Sequence, residues 1–183
     1  TYIASLPSSD KTETWKKRPD LRKKGKLALT VNKGLEPKAN VVMKIFGESA
    51  WSHEEYRKYK TLIGVLKTVL RERIREDKGG VYGVRVGGGF SKDDNKYSMN
   101  ISFSCDPVRT DELITEIKTI FNELKTEVVE DKYVNNYIKQ KLKSREVDMK
   151  KNWFWRNHLT WVAKPKNQPL SFEAYETLLS SMQ

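Results

Sequence analysis

Apolar residues recur along this chain in two rhythms, every second position in some stretches and every third or fourth in others. Leu27, Leu29 and Val31 alternate with small or polar neighbours, and Val41, Met43 and Ile45 repeat that alternation after a turn around Gly34 to Pro37. Both segments are predicted to be strands. The rhythm then lengthens. Ser52 with Glu55 forms a capping-box signature, and Tyr59, Leu62, Ile63, Leu66, Val69, Leu70 and Ile74 fall on one face of the helix that follows. Gly79-Gly80 is expected to stop that helix. Val81 to Phe90 and Lys96 to Ser104 read as two more strands joined at Asp93-Asp94-Asn95, with Tyr97, Met99, Ile101 and Phe103 alternating in the second.

The rest of the chain has helical spacing. Leu113, Ile117, Ile120, Phe121 and Leu124 mark one amphipathic helix after Pro107, and Tyr133, Tyr137, Ile138, Leu142 and Met149 mark a longer one. Trp153-Phe154-Trp155 with Trp161 opens a third, and Phe172 to Leu179 forms a fourth. Strand pair, long helix, strand pair, helices is an α+β order: an antiparallel sheet with helices packed on one face. Residues 1–26, polar and rich in Lys and Arg with Pro19 and Gly25, read as a linker from a preceding domain. Residues 27–183 read as a single α+β domain.

Composition narrows this picture only a little. A chain of 183 residues suits one domain able to bury a core without metals or disulfides. The net charge of +11 would suit an anionic partner, and equally a solvated basic face that confers solubility. Cys105 is the only cysteine, which excludes an internal disulfide and thiolate metal sites. No apolar run approaches the length of a membrane span, and the first residues do not read as a signal peptide. Thr1 is not an initiator methionine, so the sequence reads as a piece of a longer one.

Candidate chemistry is sparse. The two histidines, His53 and His158, lie far apart, and His53-Glu54-Glu55 lacks the second imidazole of HExxH or HxxEH. His53 is expected to line the first turn of its helix, His158 to be packed or half-exposed, and no metal site is predicted in this chain. Gly79-Gly80 and Gly87-Gly88-Gly89 lead into or lie within strands, whereas a phosphate-binding loop opens a helix. A bulge or a close backbone approach is expected at the triple glycine. No nucleophile motif occurs. The run K-K-N-W-F-W-R-N-H-L-T-W mixes cations with rings, but its spacing fits core or inter-domain packing better than stacking on bases.

Arg75 and Tyr82 remain, seven positions apart across the Gly79-Gly80 turn. Arginine in a last helical turn complements the helix dipole, and tyrosine is ordinary in a strand. An arginine and a phenol at one corner also suit holding a carbonyl oxygen or a peptide backbone. On the residues alone both readings stand.

The run L-x3-L-R-E-x-I-R-E-D-K-G-G-V-Y-G-V, from Leu66 to Val84, resembles the pitrilysin/insulinase-type zinc peptidases, whose catalytic motif is the inverted HxxEH. Tyr2 to Pro7, the segment G-L-E-P-K-A from Gly34 to Ala39, and the stretch from Tyr133 to Trp155 are similar to other parts of the same family. The resemblance implies a non-catalytic C-terminal domain whose Arg75 and Tyr82 bind substrate and stabilise the transition state. Arg71 and Arg73 would be structural. Zinc would be held by an HxxEH domain, in cis or as a separate subunit, and peptide would be the substrate. The chain lacks HxxEH, so the resemblance implies no peptide hydrolysis by this chain alone, and a closing element beyond Gln183. It further implies a bacterial protein of the periplasm or cell envelope. Two other readings are an inactive homologue serving as scaffold or partner subunit, and a basic nucleic-acid-binding domain.

Overall fold

A strand can form where alternating apolar residues find both a ladder partner and a face to bury, and only three of the four expected strands meet that condition. The computed structural model describes residues 2, 5, 7, 14, 16, 25–77, 79, 81–127, 129–164 and 167–182, with the backbone alone at 76, 77 and 82. The chain divides into two units, Thr1–Leu35 and Glu36–Gln183. The described residues of the first unit form no strand. Leu27, Leu29 and Val31 are 73%, 84% and 74% exposed, so the expected strand there is absent. Alternation supplied a face, but those residues have no ladder to join.

The second unit contains β1 (Ala39–Glu48), α1 (His53–Leu70), β2 (Val81–Ser91), β3 (Lys96–Cys105), α2 (Thr110–Thr126), α3 (Asp131–Asp148), α4 (Asn152–Val162) and α5 (Phe172–Ser180). The three strands form an antiparallel sheet in the order β1-β3-β2. Val41 pairs with Phe103, Met43 with Ile101 and Ile45 with Met99, which aligns their apolar side chains on one face. On that face pack Val65, Leu66, Val69 and Leu70 of α1, then Leu113, Ile117 and Ile120 of α2. The expected α+β arrangement, helices on one face of an antiparallel sheet, is the one observed.

Local signals act where they were read. Ser52 caps α1 through its Oγ, which accepts the Glu55 N–H at 3.0 Å. Tyr59 reaches from α1 to the sheet, its hydroxyl donating to the Ser98 carbonyl at 2.6 Å. Beneath it, a Cβ on Gly88 would collide with the Tyr59 hydroxyl and the Ser98 carbonyl, so the close approach expected at the triple glycine occurs at its middle residue. On the far side of α1, the Tyr137 ring of α3 occupies the space a Cβ on Gly64 would need.

One expectation needs correction and another is narrowed. His53 does more than line a helical turn: its Nε2 is 2.8 Å from the Gln168 carbonyl, and its ring packs edge-on to Trp51 and Trp161. The aromatic run from Trp153, expected to serve core or inter-domain packing, lies outside the core of this domain. No residue of α4 is buried, and Trp153 and Trp155 remain 44% and 37% exposed. A helical pattern fixes which residues share a face, but not whether another element covers it. His158 is half-buried, as expected, stacked between Phe154 and Phe172.

Candidate functional site

The corner between α1 and β2 is built from two irregularities, one in each element. Periodicity predicts one helix running toward Gly79. The α-helix instead ends at Leu70, and Arg71–Asp77 continues as a π-helix, a wider coil with i→i+5 hydrogen bonds. Ile74 remains fully buried, so the π segment keeps its grip on the core, while Arg71 and Arg75 are exposed. Gly79 then turns the chain with φ +59°, a left-handed conformation that suits glycine.

The second irregularity is in β2. Val81 stands opposite Cys105 and Val84 opposite Phe103, so Tyr82 and Gly83 together oppose the single residue Ser104. This is a β-bulge. Both valines pack against the core although three positions apart, which strict alternation forbids, and the extra residue resolves the conflict. This bulge at Tyr82-Gly83 was not expected; at the triple glycine it is the close approach, at Gly88, that occurs. The V-Y-G-V spacing was the available signal.

The charged residues around Arg75 are tied into the scaffold. Arg73 donates from Nη2 to Glu116 at 2.7 Å and from Nη1 to Glu123 at 3.0 Å, both on α2. Glu123 first, then Glu116, raise the basicity of that guanidinium. Glu72 accepts the Tyr133 hydroxyl at 2.7 Å, and this hydrogen bond is the main reason the phenol lies above its ordinary pKa. Arg109, paired with Glu112, donates to the Gly79 carbonyl at 3.0 Å and braces the turn from outside. Sequence reading identified none of these three supports.

Arg75 stands apart. It is exposed, at the outer side of the π segment, and no ion pair holds it among the described residues. Tyr82 follows as the second residue of β2, within the bulge. Among the described residues the corner offers an Arg75 guanidinium that no ion pair holds, on a segment whose Glu72 and Arg73 are engaged with α3 and α2. Such a group can donate to a carbonyl or carboxylate oxygen without first breaking an ion pair among the described residues.

The donor set for a metal does not fit. Among the described residues no group of three or more His, Cys, Asp or Glu converges, His53 binds a carbonyl and His158 is stacked between rings. Nor, among them, is any helix long and apolar enough to cross a membrane.

Comparison with known proteins bears on this corner. The profile of the Peptidase M16 inactive domain matches residues 1–141, a span that includes the α1–β2 corner. No curated protein matches the chain at the sequence level. In fold, the chain is similar to the periplasmic protease PqqL from Escherichia coli, with a TM-score of 0.70 and 21% identity over 81% of this chain and 17% of that one. It is also similar to the ferredoxin protease FusC, seen as a mutant in complex with Arabidopsis ferredoxin. There the TM-score is 0.59, with 19% identity over 80% of this chain and 18% of the other. The chain thus spans less than a fifth of the length of either structure.

Proposed function

This chain belongs to the family of the Peptidase M16 inactive domain, and from that membership we propose that it serves as the substrate-binding half of a zinc metallopeptidase's active site. Zinc is held by another domain, with which this one pairs, in the same polypeptide or as a separate subunit. The observation that supports the reading best is the exposed Arg75 beside a π-helix and a bulge, each a kind of irregularity that recurs at functional sites.

The chemistry follows from charge development. Attack of water on a peptide carbonyl puts negative charge on the carbonyl oxygen, and zinc in the other domain would supply the activation of that water. Tyr82 donates its phenolic proton in a hydrogen bond to that oxygen, and Arg75 anchors the peptide backbone alongside. Arg73, Glu72 and Arg109 hold the corner in register without touching substrate. Peptide affinity of the intact enzyme, measured without its metal so that nothing turns over, tests the anchor. Arg75→Gln should weaken binding about tenfold, the loss of one charge-assisted hydrogen bond. Unchanged affinity would contradict the role given to Arg75.

A second reading has its own support. Trp155 and Leu159 lie on one side of α4 and remain exposed, which would suit a scaffold that pairs with another domain and needs no catalytic residue. In that case, Arg75 and Tyr82 variants would leave turnover intact. By its likeness to a periplasmic protease, the chain is assigned to the bacterial periplasm or envelope, which cell fractionation checks.

A further inference from the structure

Two arginines from different helices converge on one tyrosine with no carboxylate between them. Arg57 of α1 and Arg145 of α3 lie over the ring of Tyr175 on α5, 4.3 and 3.9 Å from its centroid. Arg145 also lies 5.0 Å from the Phe172 ring and 5.5 Å from that of Phe154, and Arg57 lies 5.3 Å from that of Tyr56. Cation–π contact stabilises each guanidinium in place but does not neutralise it.

The charge there is uncompensated. Among the described residues, neither arginine forms an ion pair, and the Nε of each is sealed from solvent without a hydrogen-bond partner. Lys60 and Lys141 add positive charge close by, 5.5 Å from the Tyr56 ring and 5.6 Å from the Tyr137 ring. Burial first, with repulsion from Arg57 added, lowers the pKa of the Arg145 guanidinium. Tyr175 and Glu176 act against that shift, but Glu176 lies beyond ion-pair distance. Like charges held half-buried without a counter-ion are costly, and an anion supplied from outside would relieve the cost.

We propose that the junction of α1, α3 and α5 binds carboxylates of an acidic polypeptide segment, with Arg57 and Arg145 supplying the guanidinium forks. Nucleic acid is disfavoured because base stacking requires an open aromatic face, and the Tyr175 ring is already engaged by guanidinium. Two forks anchored on one ring suit planar, bidentate acceptors. The inference does not depend on the role of Arg75 and Tyr82.

The test is the affinity of the 183-residue chain for a fluorescent deca-glutamate peptide at low salt, read by anisotropy. Arg57→Gln and Arg145→Gln should each weaken binding about tenfold, whereas Lys143→Gln, an equal charge change elsewhere on α3, should leave it within about twofold. If Arg145→Gln fails to fold by circular dichroism, Arg57→Gln and the charge-keeping Arg57→Lys still decide the matter, and both should weaken binding. Equal losses in Lys143→Gln would reduce the effect to net charge and overturn the proposal. So would undiminished binding in the arginine variants, or a deca-glutamine peptide binding as well as deca-glutamate. Binding of inorganic phosphate or single-stranded DNA that is lost in the arginine variants, while the acidic peptide is unaffected, would also overturn it.

Discussion

At the scale of single residues, the corner is defined by which side chains are engaged and which is left open. Arg73 is clamped by two carboxylates on α2, and a multiply bonded guanidinium contributes more than an isolated surface pair. Arg73→Met should lower unfolding stability by about 1 kcal/mol in urea titration, with α-helix content retained. The same change at Arg75 should cost almost nothing, since among the described residues it has no ion pair to lose. Equal losses at both positions would contradict the division of labour. A different residue sets the alkaline limit. Burial, with the Tyr175 charge second, pushes the Tyr137 phenol up to about 12. The folded state therefore holds that proton more tightly than the unfolded chain does, so the contribution is intact below about pH 10 and is lost as pH rises toward 12. Urea midpoints should fall across that window, and less steeply in Tyr137→Phe. An identical slope in the variant would move the effect to Tyr59 or Tyr133, whose phenols are also raised.

At the scale of elements, glycines with a side chain pressed against them test the packing. Gly64→Ala would drive a methyl group into the Tyr137 ring between α1 and α3, and Gly88→Ala would drive one into the Ser98 carbonyl. Each should destabilise the domain by about 1–3 kcal/mol in chemical denaturation. Gly88→Ala should be the worse, because a backbone carbonyl inside a sheet yields less than a ring. The elements also show what the sequence could and could not disclose. Ser52, the buried stripe of α1 and the alternation of β3 were legible because each depends on residues a few positions apart. The supports of the corner were not. Arg73 reaches Glu116 and Glu123 across 43 and 50 positions, and Glu72 meets Tyr133 across 61. Arg75 and Tyr82 were singled out from a motif around one turn, whereas the π-helix and the bulge at these positions were missed. The strand expected at Leu27 to Val31 failed because a pattern defines a face but not the partner that covers it.

At the scale of the molecule, the proposed role is that of a domain completing the chemistry of another. It carries the turn, the arginine and the tyrosine, and its described residues bring no metal ligands together. The isolated chain should take up well under one equivalent of zinc, and a chelator should leave its thermal midpoint unchanged. Uptake near one equivalent would contradict that division. The central claim is that Tyr82 acts on a carbonyl oxygen in a site whose metal lies elsewhere. Turnover of a peptide by the intact peptidase carrying Tyr82→Phe, at a zinc content equal to that of the unmodified enzyme, tests it most directly. The account predicts a kcat lower by about a hundred- to a thousandfold, the range for loss of one oxyanion donor. Unaltered turnover at equal zinc would contradict it.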